Sequence, residues 1–370
     1  MKLIFLFILL GVFSVNAQDK IDLYGHRNDF EKVRLSEVAQ SVTYIPLETR
    51  EECLLGDELQ IFYGKEAIFV GDQKMGAYYR FDKKGKFLNQ IGRKGNGPGE
   101  YASALYFYVD EPERRVCLIS PQTKTVYAYG YEGNFLGKTV FEETPWMIQK
   151  VKEDYLFYNS RFNRIKSDQD VKELYLADKE GKIKASLPTT IEDQDMDMLL
   201  FEMPFFYIYQ GNIFYKNPLL DMVYRIGTPL ALEPCYEIQT GPMNRSKNDF
   251  KNMERLAEQV SIRTIIETDA LLLIVYAYRD SFYNLYVDKA ERLVRNVRNE
   301  FPGFVEDLKG GPDFLAYWQG SSSEKVLISL LTDQEIERQE DKFNQVASKE
   351  PGLAVLEYDS NPVLVVATLK

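Results

Sequence analysis

A single turn motif decides the fold of this chain, Phe81-Asp82-Lys83-Lys84-Gly85-Lys86-Phe87-Leu88. The motif returns as Tyr129-Gly130-Tyr131-Glu132-Gly133-Asn134-Phe135-Leu136 and again as Leu176-Ala177-Asp178-Lys179-Glu180-Gly181-Lys182-Ile183. Its glycines, at positions 85, 133 and 181, are separated by 48 residues each time. A repeat of about 20 to 50 residues is typical of solenoids, propellers and related arrays, because one unit cannot bury its apolar face alone. The spacing therefore indicates an architecture and says nothing of a reaction.

Each copy of the motif reads as a β-hairpin. In the first copy, Ala77–Phe81 and Phe87–Ile91 are rich in aromatic and apolar residues, and the Asp, Lys and Gly residues between them tolerate the positive φ of a tight turn. Two further apolar runs, Leu59–Tyr63 and Ala67–Val70, precede this hairpin. Four strands in a unit of this length form the blade of a β-propeller.

The motif degrades after the third unit, but the rhythm of strands continues. Met222–Ile226 and Leu232–Ile238 flank a fourth turn, and Phe282–Val287 and Arg292–Val294 flank a fifth. The remaining length leaves room for one more unit. We therefore expect six.

The sixth unit has to come from the remaining apolar runs, and it is one strand short. Its predicted strands are Phe304–Asp307, Phe314–Trp318 and Pro362–Leu369. The strand-like run Val42–Leu47 lies before the first blade, so we expect it to complete the sixth. Such pairing closes the ring and removes an open sheet edge. The prediction is an all-β fold, a six-bladed β-propeller of four-stranded blades.

Two stretches in the late units break the strand pattern. Residues Lys247–Val260 and Asp333–Val346 carry apolar side chains at helical spacing, so we expect short amphipathic helices inserted in the fifth and sixth units. They cap one end of the ring or, alternatively, form a lid or a docking site for a partner. The sequence contains no low-complexity linker, so we expect one propeller domain, residues 41–370, after a lead segment of residues 18–40.

Residues 1–17 have the pattern of a signal peptide. Lys2 precedes the almost wholly apolar run Leu3–Val12, and Val15-Asn16-Ala17 fits a cleavage site before Gln18. The run is shorter than the about 20 apolar residues that cross a membrane. A lipid anchor needs a cysteine at the cleavage point, whereas the first cysteine is Cys53. We expect an exported protein, periplasmic or extracellular, that is soluble and not lipid-anchored.

The chain has three cysteines, Cys53, Cys117 and Cys235. An odd set without paired spacing allows at most one internal disulfide and matches no zinc motif. Cys117 and Cys235 lie in strand-like runs, where a cysteine behaves as a small apolar residue. We therefore expect packed sheets to hold the fold together.

Charge and residue inventory exclude several classes of function. The net charge is −11, whereas nucleic-acid binding needs a basic surface. The single histidine, His26, lies ahead of the first blade, which argues against a Ser-His-Asp triad and excludes a three-histidine zinc centre. A function based on carboxylate side chains is still compatible with this composition, either glycoside hydrolysis or a reaction assisted by calcium.

We expect no cofactor, with a Ca²⁺ site as the alternative. Asp193, Asp195 and Asp197 alternate along the chain as the ligands of an ion-binding loop do. The segment lacks the glycine and the bidentate glutamate that complete such a loop. A solvated acidic loop is therefore the interpretation that we favour.

The sharpest local motif is the glycine-rich stretch Ile91–Tyr101. It lies between two strands, whereas a phosphate-binding loop opens a helix, so we interpret it as a connection between blades. Its glycines then serve the turn. The functional alternative is that Arg93, Lys94, Asn96 and Glu100 line one end of the ring and contact a ligand, since binding residues concentrate on loops.

The two tryptophans, Trp146 and Trp318, are further candidates. A tryptophan at the mouth of a ring stacks on a sugar or on an aromatic peptide side chain. The alternative, which we favour, is packing in the core.

Several segments carry a resemblance. Gly95–Tyr101, together with the first turn motif, resembles the NHL-related six-bladed β-propeller proteins that Bacteroidetes bacteria export. Tyr44–Thr49 and Asn361–Leu364 are similar to the two ends of that family's chains, so the resemblance covers nearly the whole chain after the signal peptide. It implies an exported propeller and assigns no catalytic residue.

These observations favour a non-enzymatic binding or scaffolding propeller outside the cytoplasm. It would recognise a glycan, a peptide or a protein through loops at one end of the ring. The alternative is a carboxylate- or metal-dependent hydrolase or lyase in the central funnel, which requires acidic side chains that converge near the axis. We also expect no nucleic-acid partner, no membrane segment after cleavage of the signal peptide, and a monomer.

Overall fold

The computed structural model describes most of the chain. The described residues are 19–159, 172–188, 204–244, 253–279, 281–298, 301–316, 320–321, 325–356 and 359–370. The predicted signal peptide lies outside them. In chain order, the first elements are β1 (Asp19–Asp22), α1 (Leu23–His26), β2 (Phe30–Glu31), α2 (Leu35–Val38) and β3 (Ala39–Pro46).

Blades 1 to 5 follow, and each has four consecutive strands that pair antiparallel. Blade 1 contains β4 (Leu59–Tyr63), β5 (Ile68–Asp72), β6 (Ala77–Phe81) and β7 (Phe87–Gln90). Blade 2 contains β8 (Tyr106–Asp110), β9 (Arg115–Ser120), β10 (Thr125–Gly130) and β11 (Phe135–Val140). Blade 3 contains β12 (Met147–Val151), β13 (Asp154–Tyr158), β14 (Lys172–Ala177) and β15 (Ile183–Pro188).

The irregular half of the ring starts with blade 4. Its strands are β16 (Phe205–Tyr209), β17 (Asn212–Lys216), β18 (Met222–Gly227) and β19 (Ala231–Gln239). A short helix, α3 (Met253–Ala257), precedes blade 5, whose strands are β20 (Ser261–Glu267), β21 (Leu271–Tyr278), β22 (Ser281–Asp288) and β23 (Leu293–Val297). The remaining elements are β24 (Gly320–Ser321), β25 (Val326–Leu331), α4 (Asp333–Arg338), α5 (Glu340–Ala347) and β26 (Val363–Leu369). Short 3-10 turns occupy Glu51–Cys53, Pro121–Thr123 and Gly241–Met243.

The sheets form a ring, which confirms the six-bladed β-propeller. The first strands of blades 1 to 5 contact each other in order, from β4 through β8, β12 and β16 to β20. Gln60 on β4 joins blade 1 to blade 2 directly. Its side-chain amide donates to the carbonyl oxygen of Phe107 at 2.8 Å and accepts from the amide of the same residue at 3.0 Å.

The predicted ring closure is also confirmed. The outer strand of blade 6 is β3, which pairs antiparallel with β26 from Pro46 to Ala39. On the other side of β26 lies β25. The N-terminal strand therefore completes the last blade and joins the two ends of the domain.

The predicted composition of blade 6 is wrong in part. Phe304–Asp307 and the described part of Phe314–Trp318 do not join its sheet, which in the described residues contains β25, β26 and β3. Phe304 and Phe314 instead pair in an isolated bridge, and Val305 pairs with Arg34. Both phenylalanines are buried against the lead segment, a distant part of the chain. Their apolar character therefore reflects this contact and not a place in the sheet of blade 6.

The repeated glycines occupy the turns that the sequence predicts. Gly85, Gly133 and Gly181 have φ of +86°, +81° and +85°, a conformation that favours glycine. Each also touches the last residue of the outer strand in the preceding blade. A Cβ atom there would lie only 2.0 to 2.4 Å from a backbone carbonyl oxygen, that of Pro46, Gln90 and Val140 respectively. The turn motif is therefore a junction between blades.

Both predicted helical stretches contain helices, and the second stretch holds two. Of Lys247–Val260, the structure describes α3, and Asp333–Val346 is divided at Gln339 into α4 and α5. Thr332 and Glu335 form a capping box at the start of α4. The ammonium group of Lys342 on α5 contacts the buried carboxylate of Asp313 at 2.6 Å, which fixes the helix pair to the segment before blade 6.

Residues 19–38 run along the outside of the irregular half. β1 adds to β19 as a fifth, parallel strand, and β2 adds in the same way to β23. The side-chain amide of Asn296 donates to the carbonyl oxygens of His26 and Arg27, both at 3.3 Å. The lead segment is thus part of the packed structure.

The core lies between neighbouring blades. Between blades 1 and 2 it is strongly aromatic, with Tyr78, Phe107 and Tyr129 among its buried residues. All three cysteines are free thiols; Cys53 and Cys117 are buried and Cys235 is half-buried. Burial raises the pKa of the Cys117 thiol to about 11, consistent with the expected core role. No helix in the described ranges is long and apolar enough to cross a membrane.

Candidate functional site

The glycine-rich stretch is a connection between blades 1 and 2, as predicted. It leaves β7 and closes on itself through two backbone hydrogen bonds. The amide of Tyr101 donates to the carbonyl oxygen of Arg93 at 3.1 Å, and the amide of Gly95 donates to that of Tyr101 at 3.0 Å. This short ladder gives the loop a defined shape without a ligand.

Glu100 folds back into the same loop. Its carboxylate accepts a hydrogen bond from the amide of Gly97 at 2.8 Å. A Cβ atom at Gly95 would lie 2.0 Å from that carboxylate, so a larger residue there would displace the Glu100 side chain from its contact with Gly97. Glu100 therefore has a structural contact, whatever else it binds.

Two tyrosines fasten the loop to the blades on either side. The hydroxyl of Tyr101 donates to the carbonyl oxygen of Gly76 in blade 1 at 3.0 Å, and that of Tyr129 donates to Gly99 at 3.1 Å. Burial is the main cause that raises the pKa of both tyrosines above the ordinary value. Both remain neutral donors at physiological pH, so the loop is held on a rigid base.

A groove lies between this loop and the outer strand of blade 2. It has a volume of about 290 Å³. We call it the edge groove, and its lining residues are Gly95, Asn96, Gly97, Pro98, Gly99, Glu100, Ala102, Tyr127, Phe135 and Lys138. It combines an aromatic wall with a carboxylate, an amide and an ammonium group, the mixture that ligand sites use for orientation and specificity.

A β-bulge brings the two blade residues of the groove together. The register of β11 on β10 shifts at Leu136, which has no partner on β10. Without the extra residue, Phe135 and Lys138 would point to opposite sides of the sheet, because side chains alternate along a strand. With it, both line the groove beside Tyr127. Phe135 is 41% exposed.

Of the predicted ligand residues, Asn96 and Glu100 line the edge groove. Arg93 and Lys94 are exposed on the same loop but do not line it. The Lys94 ammonium group lies instead beside Gly76, 3.7 Å from the position that a Cβ atom would take there. Trp318 lies outside the described residues, as do Asp193, Asp195 and Asp197 of the calcium alternative.

Trp146 lies in a different place. It is half-buried and packs against the cluster of Tyr158, Leu174 and Tyr215 between blades 3 and 4. Its indole nitrogen is buried and has no acceptor among the residues that the structure describes. Trp146 thus lies in the packing between blades 3 and 4, and it does not line the edge groove.

Sequence reasoning missed Tyr127, Phe135 and Lys138. Phe135 belongs to the second turn motif, where the sequence predicts only a β-hairpin. The available signal was the pair Phe135-Leu136 followed by Gly137, two large apolar residues and a glycine in an outer strand. That pattern indicates a bulge with an apolar side chain left at the surface.

A second polar cluster lies between blades 4 and 5. The carboxylate of Glu267, fully buried, contacts the ammonium group of Lys289 at 2.7 Å. It also accepts hydrogen bonds from the hydroxyls of Tyr207 at 3.0 Å and Tyr236 at 2.5 Å. Burial, and then Glu267, raise the pKa of both tyrosines. The cluster joins strands of two blades and has no open surface at the carboxylate.

Other buried carboxylates also have structural partners. Asp72 accepts from the amides of Gly56 and Met75 at 2.8 and 2.9 Å. Glu306 accepts from the hydroxyl of Tyr44 at 2.9 Å and from backbone amides of the following turn. Within the described part of the chain, no group of three or more His, Cys, Asp or Glu side chains could hold a metal ion.

The fold defines the class of protein, a six-bladed β-propeller. Within that class, residues 18–368 match the family described as "Domain of unknown function (DUF4934)", so the chain belongs to the DUF4934 family. A search of the curated proteins gives no match.

Two solved structures share the architecture over nearly the whole chain. One is BF0058 from Bacteroides fragilis NCTC 9343, a protein for which export is inferred. It is 18% identical with a TM-score of 0.72, and the alignment covers 95% of this chain and 99% of that one. The other is a member of the DUF4221 family from Bacteroides vulgatus ATCC 8482, with 11% identity, a TM-score of 0.56 and coverage of 90% and 97%. At these identities the likeness shows the fold alone.

Proposed function

We propose that the protein is an exported binding or scaffolding propeller that holds a glycan, a peptide or a protein in the edge groove. One observation carries the proposal. Two residues of the predicted ligand loop, Asn96 and Glu100, meet an exposed aromatic ring and a cation of the next blade. The signal-peptide pattern and the inferred export of BF0058 support a location outside the cytoplasm. The relation to NHL-related propellers is part of this proposal.

The chemistry of the groove suits recognition. Phe135 offers an apolar face for stacking, and the amide of Asn96 can both donate and accept. Lys138 is exposed and has no ion-pair partner among the described residues. Glu100, already bonded to Gly97, keeps a second carboxylate oxygen for a ligand donor. Arg93 and Lys94 would extend the contact along the loop.

A hydrolase or lyase would need acidic groups that converge on the axis. In the described residues, the buried carboxylates instead hold turns, a helix pair and blade interfaces; they are Asp72, Asp110, Glu173, Glu267, Glu306 and Asp313. They come from six separate segments of the chain. This distribution supports the binding proposal over the catalytic alternative.

The test is a binding screen with the purified protein on glycan and peptide arrays. We expect a bound class of ligand whose affinity falls at least tenfold in Asn96→Ala and in Phe135→Ala. Leu88→Ala is the matched control, because Leu88 takes the place of Leu136 on the outer strand of blade 1 and is 42% exposed. Ligands that bind all three variants equally well would place the site elsewhere and refute the proposal.

A further inference from the structure

The outer edges of this ring bind extended chain. β1 lies on β19 with Lys20 opposite Glu237 and Ile21 opposite Ile238, and β2 lies on β23 with Phe30 opposite Asn296. Both added strands are parallel to the strand that they cover. Two blades of the same molecule therefore show how a fifth strand is accommodated.

The added strand β1 also carries a charge match. Lys20 and Glu237 face each other in the register, and the ammonium group lies 3.4 Å from the carboxylate. Complementary charges on neighbouring strands favour one register over its alternatives. The covered edge of blade 4 is thus recognised by backbone hydrogen bonds and by charge.

The outer strand of blade 2, β11, is the equivalent edge without such a cover. The amide of Phe141 donates inward to the carbonyl oxygen of Lys124 at 2.8 Å. Beyond the bulge at Leu136, hydrogen bonding alternates along the antiparallel pair, so the backbone groups of Lys138 and Val140 point away from β10, with the carbonyl oxygen of Val140 against the turn of blade 3 at Gly181. In the described ranges, no further strand pairs with β11.

The side chains of β11 distinguish it from β7 and β15, the other two outer strands of the regular half, of which β15 exposes no large apolar residue. Phe135, Leu136 and Val140 are 41%, 50% and 57% exposed, whereas β7 exposes Leu88 alone among its large apolar residues. Apolar residues on an open edge invite the addition of another strand. The edge groove continues directly onto this strand, because Phe135 and Lys138 belong to both.

Charge indicates the chemistry of the occupant. Lys138 lies in the middle of β11, where its ammonium group is exposed and has no ion-pair partner among the described residues. By analogy with Glu237 beneath Lys20, a carboxylate in the added strand would lie opposite Lys138. Alternate residues of that strand share a face, so apolar side chains two positions before and after the carboxylate would meet Phe135 and Val140.

We propose that β11 binds an extended peptide segment of a partner protein as a fifth, parallel strand, with the pattern apolar-x-acidic-x-apolar. This inference rests on the proposed function and names its ligand class. Addition of a strand to a sheet edge is a general mode of peptide recognition, in which the backbone supplies affinity and alternate side chains supply specificity. The loop Gly95–Glu100 forms the wall of the site.

The experiment uses the chain from residue 18 and the synthetic peptide Ac-Thr-Val-Thr-Glu-Thr-Val-Thr-NH₂. Fluorescence anisotropy measures affinity, and amide hydrogen exchange measures protection. We expect saturating peptide to slow exchange of the Lys138 amide at least tenfold. Lys138→Glu weakens binding at least tenfold, and a peptide with Lys in place of Glu restores it. Lys65→Glu, an exposed lysine in a turn of blade 1, is the charge-matched control and leaves binding unchanged.

A peptide that binds without protecting β11, or equally well to Lys138→Glu, overturns the inference. So does N-methylation of alternate peptide amides without loss of affinity, because strand addition requires those donors. If a glycan binds in a manner that depends on Asn96 and Phe135 while the peptide does not bind, the proposed function stands and this inference fails. If no ligand depends on the groove, both fail.

Discussion

The two halves of the ring treat the outer edges of their blades differently. In blades 4 and 5 the lead segment adds a fifth strand to the outer edge, as β1 and β2, and in blade 6 the strand β3 is itself the outer strand. In blades 1 and 2, the outer strands carry no added strand among the described residues, and the turn of the next blade sits on their last residue through Gly133 and Gly181. A local repeat thus holds the regular half, while a distant segment holds the irregular half.

The largest effect should come from removal of the lead segment. A chain that starts at Ala39 loses the buried side chains Ile21, Leu23, Val33, Leu35 and Val38. At about 1.5–3 kcal/mol each, their burial is comparable to the stability of a whole domain. We expect the shortened chain to aggregate or to unfold without cooperativity.

Circular dichroism during a urea titration measures this effect, with Leu35→Ala as the graded control. The single substitution should remain folded and lose about 2–5 kcal/mol. A shortened chain that unfolds at the same urea concentration as the full chain would remove the difference between the two halves.

Next in size is the polar interface of the irregular half. Lys289→Met leaves the buried carboxylate of Glu267 without its counter-ion, so we expect the free energy of unfolding to fall by about 3–5 kcal/mol. Lys184→Met is the control from the regular half. Its partner is Asp154 on an exposed surface, so the loss should stay below about 1 kcal/mol. Equal losses in the two variants would contradict this distinction.

The turn junctions of the regular half give a smaller effect. Gly133→Ala places a Cβ atom 2.4 Å from the carbonyl oxygen of Gln90 and strains a φ of +81°. We expect it to cost about 1–3 kcal/mol or more. Gly211 in blade 4 also has a positive φ, +70°, but a Cβ atom there would meet nothing within 4 Å.

Gly211→Ala therefore isolates the cost of backbone strain, and its loss should be the smaller of the two. Thermal unfolding of both variants measures the comparison. If the two midpoints fall equally, Gly133 serves the turn alone and is not a junction between blades.

The sequence predicts the regular half well because its signals are local. Period-two runs and a glycine at positive φ lie within a few residues of each other in blades 1 to 3. β1 and β2 are only four and two residues long, and they exist because of β19 and β23, more than 200 residues away. β25, by contrast, is a plain apolar run, Val326–Leu331, whose signal is local and which the prediction of blade 6 did not include.

The candidate site divides in the same way. Asn96 and Glu100 could be found because glycines mark their loop. Phe135 and Lys138 reach the same groove only through the bulge at Leu136, which depends on pairing with β10. Spacing along the sequence places these two side chains on opposite faces, so the groove emerges only from the register.

The smallest effect concerns the attachment of the lead segment and depends on pH. Burial raises the pKa of Asp307, but hydrogen bonds from the amide and hydroxyl of Ser36, at 2.9 and 2.6 Å, outweigh it and leave the pKa below its ordinary value. A carboxyl group whose pKa is lowered by folding stabilises the folded state at pH values above its ordinary pKa. That stabilisation is lost as the pH falls through the folded-state pKa. Ser36→Ala should therefore cost about 0.5–1.5 kcal/mol at pH 7 and progressively less below about pH 4.

Thr139→Val in the regular half is the control for this pH dependence. The Thr139 hydroxyl donates to the carbonyl oxygen of Lys179 at 3.2 Å, and no carboxylate takes part. Its cost should not change between pH 3 and pH 7. Urea titrations at several pH values measure both variants, and a Ser36→Ala cost that is constant with pH would contradict the assignment to Asp307.

Hydrogen exchange across the outer strands of the unliganded protein tests the central difference most directly. The strands β19 and β23 have hydrogen-bonded neighbours on both sides, whereas β10 is the one neighbour of β11 among the described strands. We predict that the outward amide of β11 at Lys138 exchanges orders of magnitude faster than the outward amides of β19 and β23. Equal protection of β11 and β19, or rapid exchange in all three strands, would contradict the account of a covered half and an open, binding half.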